Sequence, residues 1–216
     1  MTRFECLTIV ILVSLAAAGV TVWAQFDYIA TQYGQGYLSE EDFGRHQSKV
    51  QGTAAAPYRY RLLSDYALEG VLRLVPRDWA GGPDKAYKFV AFGFRLAQNF
   101  AVFMLAFWYF RTLGLSIGKG LLGMCLLTYG LCFAFHQSDL SFYTYTSLAF
   151  FLLAGAIIGR RRDWLILPLT LVAALNREDG VFIPVMLLCA RLGEGNWRSW
   201  GGFRVLLSPW MRWAAL

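Results

Sequence analysis

The stretch Asn176-Arg177-Glu178-Asp179 places four strongly polar residues between two apolar runs, 164–175 and 180–190. An ionisable side chain at the centre of a membrane helix costs about 2.5–3.5 kcal/mol. Three of them in a row therefore predict either a turn at a membrane surface or the lining of a polar cavity. Each flanking run of about 12 residues would form roughly 18 Å of helix, which is short for a full crossing.

The two short runs leave two arrangements open. In the first, they form a pair of short helices that turns near the outer membrane surface, which keeps three ionisable groups out of lipid. In the second, 164–190 is a single crossing with the polar stretch at its centre. We expect the first, because the basic residues Arg191 and Arg198 then return to the inner side.

The composition indicates a membrane protein. The chain of 216 residues is 57% hydrophobic and only 16% charged, whereas a soluble domain averages roughly 45–50% apolar and about 25% charged residues. We predict an all-α fold, a polytopic transmembrane helical bundle with about six membrane segments. The net charge of +6 is explained by basic inner loops, so we expect membrane lipid as a partner and no nucleic acid.

We treat residues 1–216 as one membrane domain, with a fragment of a longer protein as the alternative. The polar stretch 25–88 is predicted to be an outer loop that carries an amphipathic interfacial helix over 61–75. Its apolar stripe would comprise Leu62, Leu63, Tyr66, Ala67, Val71 and Leu74. The opposite side of this helix would carry Asp65, Glu69 and Arg73. The other predicted segments are spans 6–24, 89–110, 120–135 and 140–159, the helix pair 164–175 and 180–190, and a Trp/Arg-rich interfacial tail over 196–216.

Basic residues predict the sidedness. Arg160-Arg161-Arg162 follows the fourth span and marks a cytoplasmic loop. Counting back through the spans leaves the N-terminus in the cytoplasm, in agreement with Arg3. Cleavage of the first span after Ala24 as a signal peptide is the alternative.

With this sidedness, three polar groups meet at the outer surface. They are Asp27 with Glu40-Glu41-Asp42, then His136-Gln137-Ser138-Asp139, and finally Asn176-Arg177-Glu178-Asp179. Carboxylates, histidine and arginine together are what a site for a phosphorylated lipid headgroup requires. The second span adds Arg95, Gln98 and Asn99 on one helical face, and Arg95 points either into the bundle or outward to the interface.

Each of these groups also has a purely structural interpretation. Asp27 can mark the end of the first span, and Asp42 or Asp139 can belong to helix caps. Arg59 and Arg61 can anchor the interfacial helix to lipid phosphate. Asn176-Arg177-Glu178-Asp179 can be a hairpin turn held by an internal ion pair. Cys6, Cys125, Cys132 and Cys189 lie in apolar runs without metal-ligand spacing, which is typical of buried structural thiols.

Three short motifs resemble marks of the GT-C glycosyltransferase type of bacterial polytopic membrane proteins. Ala56-Pro57-Tyr58-Arg59-Tyr60-Arg61-Leu62-Leu63 resembles a Pro-aromatic-Arg-Tyr-Arg-hydrophobic-Leu signature. Ser138-Asp139-Leu140 at the start of a span and Leu175-Asn176-Arg177-Glu178 at the end of a later one resemble further marks. The three motifs keep the expected order, whereas GT-C enzymes usually have more spans than the six counted here.

The resemblance implies sugar transfer from a polyprenyl-phosphate carrier to an acceptor on the outer face of the bacterial inner (plasma) membrane. It implies Asp27 or Asp42 as the catalytic base. Phosphate-binding roles would then fall to Arg59, Arg61 and Arg177. From the polar groups described above, we add Arg95 as a further phosphate-binding residue and His136, Asp139, Asn176 and Glu178 as supporting polar residues. No organic cofactor is expected, and dependence on a divalent metal is left open. The alternatives are a transporter or flippase for a lipid-linked or anionic solute, and a non-catalytic membrane subunit.

Overall fold

The structure of the chain is a computed structural model, which describes residues 3–34, 36–37, 41–56, 61–76, 82–134 and 141–194. Within these ranges the protein is helical and has no strand. The helices are α1 (Arg3–Tyr33), α2 (Glu41–Val50), α3 (Leu62–Leu74), α4 (Pro83–Thr112), α5 (Ile117–Ala134), α6 (Phe142–Gly159), α7 (Ile166–Asn176) and α8 (Phe182–Glu194). The all-α prediction is confirmed.

Three helices are long and apolar enough to cross a membrane, by length and composition: Phe4–Tyr33 in α1, Pro83–Thr112 in α4, and Phe142–Gly159 in α6. At 1.5 Å per residue, the 31 residues of α1 extend about 46 Å, beyond the roughly 30 Å of a hydrocarbon core. Both α1 and α4 therefore continue past the predicted spans 6–24 and 89–110. Ile117–Phe133 and Asp163–Asn176 are shorter apolar segments.

A central core joins the long helices. Ala18 of α1, Phe103 of α4 and Met124 of α5 have no exposed surface, and Tyr145 of α6 packs with them. A second core joins α6 to α7 and α8 through residues such as Ile157, which lies on α6. The cores leave large apolar side chains exposed around the bundle, as a lipid solvent permits.

The helices α7 and α8 form an antiparallel pair. Arg191, in α8, donates a hydrogen bond of 2.8 Å from Nε to Asp163, which precedes α7, and it also bonds the carbonyl of Ile158. The stretch 176–181 is therefore a turn at one end of the bundle. Gly180 allows this turn, because a Cβ there would lie 2.9 Å from the backbone of Ala173.

The bundle has two chemically different ends. The Tyr143 end comprises the C-terminus of α1, the N-termini of α4 and α6, the α7–α8 turn, and the helices α2 and α3. The Arg160 end comprises the α4–α5 and α6–α7 loops and the C-terminus of α8. Carboxylates, a histidine and cations gather at the first end, whereas Arg160, Arg161 and Arg162 are exposed at the second.

Helix α3 packs with its polar side inward. Ser64, Asp65 and Leu68 are buried against the protein, whereas Tyr66 and Leu74 of the predicted apolar stripe are exposed. Asp65 is buried on the side opposite the predicted apolar stripe, where His46 and Lys49 of α2 supply partners for its carboxylate.

Candidate functional site

Three cations surround the ring of Tyr143, which begins α6 and is 1% exposed. Arg61 Cζ lies 4.8 Å from the ring centroid, Arg177 Cζ lies 5.4 Å from it, and Lys49 Nζ lies 5.5 Å from it. These distances fall within the roughly 6 Å range of cation–π attraction. The tertiary structure thus brings cations from α2, the start of α3 and the α7–α8 turn to one aromatic side chain.

Each of the three cations also has a carboxylate partner. Both Arg61 Nε and Nη2 donate to Glu178, and Arg177 Nε lies 3.6 Å from Asp179. The hydrogen bonds from Arg61 are the main reason that the pKa of Glu178 falls below its ordinary value. Because the side chain of Glu178 is 63% exposed, solvent or another anion can reach this ion pair. Lys49 Nζ lies 3.5 Å from Asp65.

Asn176 ties the cation cluster to the bundle. It has no exposed surface, and its Nδ2 donates to the carbonyl of Tyr143 at 2.8 Å and to Ser147 Oγ at 3.0 Å. Its Oδ1 accepts a hydrogen bond from Ser64 in α3. Ser147 in turn donates to Asp179. A buried amide with this many partners holds α3, α6 and the turn in one arrangement.

A second polar group lies beside the first. His46 in α2 is 2% exposed, with Nδ1 3.4 Å from Asp65 Oδ1 and Nε2 3.2 Å from Glu69 Oε2. The His46 ring packs against Tyr87 at a centroid distance of 5.3 Å, and the Tyr87 hydroxyl donates to Asp42 at 2.8 Å. Asp42, a predicted base, is thereby linked to the same end of the bundle.

A third polar group lies deeper, between the long helices. Arg95 is 5% exposed and its Cζ lies 4.3 Å from the centroid of Tyr145 and 4.6 Å from that of Phe142. Gln25 of α1 donates to the Tyr145 hydroxyl at 2.7 Å. Arg95 therefore points into the bundle. Asn99, one turn further along α4, is fully buried, and within the described residues neither of its amide atoms has a hydrogen-bond partner.

The structure brings together some of the predicted site residues. Arg61, Arg177, Asn176 and Glu178 lie in one cluster, Asp42 bonds Tyr87 in the neighbouring His46 group, and Arg95 lies deeper in α4. Asp27 lies on the exposed side of α1, away from the buried Gln25 and Ile29. The remaining predicted site residues fall outside the described residues: Arg59, His136 and Asp139.

Sequence reasoning missed the side chains that organise the cluster. They are Tyr143, Lys49, His46, Asp65 and Ser64. One signal was available, since Asp42, His46 and Lys49 are spaced i, i+4, i+7 along α2 and so share a helical face. Tyr143 carried no such signal, because an aromatic residue at the start of an apolar span is typical of membrane interfaces.

Within the described residues, no three His, Cys, Asp or Glu side chains are grouped to hold a metal ion. At His46, the two carboxylates lie on opposite ring nitrogens, so a single ion cannot bind all three groups. The four cysteines are free thiols, and Cys125 and Cys189 are exposed on the surface of the bundle.

These features define a class: an integral, all-helical membrane protein with a cluster of cations, carboxylates and a histidine at one end of its bundle. Comparisons with protein families, with curated proteins and with solved structures gave no match to this chain.

Proposed function

We propose that this protein is a GT-C-like glycosyltransferase that moves a sugar from a polyprenyl-phosphate carrier to an acceptor at the outer surface of the bacterial inner membrane. One observation carries the proposal. Arg61 and Arg177, both expected to bind phosphate, lie with Lys49 around Tyr143, where long apolar helices end. A polyprenyl carrier needs this combination of arginine and lysine side chains for its phosphate and adjoining lipid for its chain.

The positions of the basic residues support the outer-face assignment. Arg160, Arg161 and Arg162 are at the opposite end of the bundle from Tyr143, and short arginine-rich loops face the cytoplasm. The N-terminus of α1 lies at that same end. The exposed apolar residues of α3, such as Leu74, then contact the outer lipid interface.

The arginines are the groups that would hold the carrier phosphate. A guanidinium donates two parallel hydrogen bonds to phosphate oxygens, as Arg61 does to the carboxylate of Glu178. The exposed Glu178 occupies this fork in the absence of substrate, and the phosphate takes its place. Arg177 and Lys49 add positive charge that stabilises the phosphate as the sugar departs.

Asp42 is the better of the two predicted bases. In the transfer, the acceptor hydroxyl attacks the anomeric carbon, the bond from that carbon to the phosphate oxygen breaks, and the hydroxyl proton passes to the carboxylate. Polyprenyl phosphate leaves and the anomeric configuration is inverted. Asp42 belongs to the His46 group beside the cluster, through its hydrogen bond with Tyr87, whereas Asp27 lies on the outward side of α1.

The test separates carrier binding from transfer. The protein is reconstituted in nanodiscs, and binding of polyprenyl phosphate is measured for the wild type, Arg61→Gln and Arg177→Gln. We expect each substitution to weaken binding about tenfold, equivalent to about 1.4 kcal/mol. Arg73→Gln is the matched control, because Arg73 is 71% exposed at the same end and pairs with Glu69. Equal binding by all four proteins would overturn the phosphate assignment.

Transfer is measured with Asp42→Asn, using polyprenyl-phosphate sugars and a mixed membrane extract as acceptor. We expect normal carrier binding and loss of sugar transfer. Unchanged transfer by this variant would remove Asp42 as the base, and Asp27→Asn is then tested in the same way. Carrier binding without transfer by the wild type would favour a non-catalytic membrane subunit.

A transporter or flippase is the second candidate, and the buried polar residues of α4 favour it. Arg95 and Asn99 are buried in the bundle within the candidate span Pro83–Thr112, and polar residues within membrane spans often mark a substrate path. Movement of a fluorescent polyprenyl-phosphate sugar across the proteoliposome membrane, with no sugar transfer, would support this candidate over the enzyme. The movement should be lost in Asn99→Leu.

A further inference from the structure

An apolar groove opens at the Arg160 end, the opposite end from the proposed transfer site. It has a volume of about 410 Å³ and lies between α4, α6 and α7. Its walls are apolar, and it is lined by Trp108, Leu153, Ile157, Leu165, Pro168, Leu169 and Val172, together with Arg160 and Arg162. The apolar walls and the two arginines are thus parts of one concave surface.

The arginines are positioned to receive an anion. Arg160 Cζ lies 4.5 Å from the ring centroid of Trp108, so its guanidinium is held over the groove. Asp163, the neighbouring acidic residue, is already bound by Arg191 through both Nε and Nη2. Among the described residues, no ion pair within 4.0 Å involves Arg160 or Arg162.

We propose that this groove is a binding site for an anionic phospholipid, with an acyl chain against the apolar wall and the headgroup phosphate at Arg160 and Arg162. Two observations favour this occupant. The groove faces the side of a bundle that crosses a membrane, where acyl chains are the surrounding solvent. Its charged rim lies at the end of α6, where a candidate membrane span finishes, and a basic pocket between membrane helices selects anionic headgroups.

Neither Arg160 nor Arg162 belongs to the proposed transfer site, which lies at the other end of the bundle. The lipid site therefore does not rest on the proposed function. A bound phospholipid there would join α4 to the α6–α7 loop and stabilise the helix pair α7–α8 against the rest of the bundle. The full-length protein is the right material for the test.

The test is native mass spectrometry of the full-length protein in detergent, with phosphatidylglycerol or phosphatidylcholine of identical acyl chains. We expect the wild type to retain phosphatidylglycerol preferentially. The double variant Arg160→Gln/Arg162→Gln should lose this preference, because each arginine contributes about fivefold to the affinity for the anionic lipid. The control variant Lys119→Gln/Arg161→Gln removes two cations at the same end of the bundle that do not line the groove. It should keep the preference for phosphatidylglycerol.

A second variant tests the apolar wall. Val172 is 42% exposed and lines the groove, so Val172→Trp should fill it and lower retention of phosphatidylglycerol while both arginines stay in place. Equal retention of the two lipids by the wild type would overturn the proposal. Retention of neither lipid would mean that another part of the chain or a second copy covers the groove, and would overturn it as well.

Discussion

Arg61 donates two hydrogen bonds to the carboxylate of Glu178, a residue 117 positions further along the chain. The pair joins the segment before α3 to the turn between α7 and α8, and both residues belong to the sequence motifs on which the proposed function draws. Arg61 is 8% exposed, whereas the side chain of Glu178 is 63% exposed. The arginine is thus fixed in the protein and the carboxylate is the exchangeable partner.

The first prediction follows from that asymmetry. Glu178→Gln removes the anion that competes for Arg61, so we expect affinity for polyprenyl phosphate to rise by up to about fivefold, as expected for an exposed ion pair. The unfolding free energy should change by less than about 1 kcal/mol. Binding is measured in nanodiscs, and Glu41→Gln, an exposed carboxylate paired with Arg45, is the control. Weaker binding by Glu178→Gln would show instead that Glu178 positions Arg61 for the phosphate.

The second prediction concerns acid stability. Hydrogen bonds from Arg73 and then His46 lower the pKa of Glu69 below its ordinary value of 4.5. A carboxylate with a lowered pKa stabilises the folded state above its unfolded pKa, and this contribution is lost as the pH falls through the lowered pKa. We expect the melting temperature in detergent to fall below pH 4.5, and to fall less steeply in Glu69→Gln. Identical pH profiles would mean that these contacts do not stabilise the α2–α3 packing.

The third prediction concerns Asn176, which is fully buried and fully bonded. Asn176→Ala should destabilise the protein by about 1–3 kcal/mol, because Ser64 and the Tyr143 carbonyl lose a buried partner. Asn176→Asp should cost more, since a carboxylate oxygen would face that carbonyl. The matched control is Asn99→Ala, which removes a buried amide without a partner among the described residues and should be nearly neutral. Unfolding in mixed detergent micelles gives the comparison.

The fourth prediction concerns the tight turn at Gly180. An alanine Cβ at Gly180 would lie 2.9 Å from backbone atoms of Ala173 and Ala174, so the turn must shift. We expect a loss of about 1–3 kcal/mol in stability. Gly130→Ala in α5 is the control: its Cβ meets no atom within 4 Å, and it should stabilise the helix by about 0.5–1 kcal/mol. Equal stability of the two variants would contradict the close packing at the turn.

The fifth prediction concerns sidedness. Single cysteines at Gln47 and Lys119, both exposed and at opposite ends of the bundle, are placed in a background without the native cysteines. An impermeant thiol reagent should label the first in intact cells and the second only after permeabilisation. The reverse result would place the Tyr143 end in the cytoplasm and exclude transfer at the outer face by this cluster.

Much of the helical plan was readable from the sequence because apolar runs report directly on burial in lipid. The predicted segments 89–110 and 140–159 correspond to α4 and α6, and the apolar runs around 176–179 correspond to α7 and α8. Helix ends were predicted less well. The predicted spans stop where polar residues begin, whereas α1 continues through Asp27 to Tyr33 beyond the apolar run.

The candidate site was only partly readable. Arg177 and Glu178 were singled out because charged residues between apolar runs are costly and therefore stand out, whereas Arg61 was singled out only by the motif resemblance. His46 and Asp65 were not singled out, because charged residues are expected in a polar segment. Their significance comes from burial: His46 is 2% exposed and Asp65 is 3% exposed, which only the packing of α2 on α3 and α4 produces.

By itself, the sequence determined that this is a helical membrane protein with its arginine-rich loop and its mixed polar stretches in separate places, because hydropathy and charge act locally along the chain. Only the tertiary structure decided that Lys49, Arg61 and Arg177 share one tyrosine ring, that Arg95 points inward, and that α3 turns Asp65 toward the protein. These contacts join residues from separate helices. They depend on how the helices pack, which no local pattern of side chains specifies.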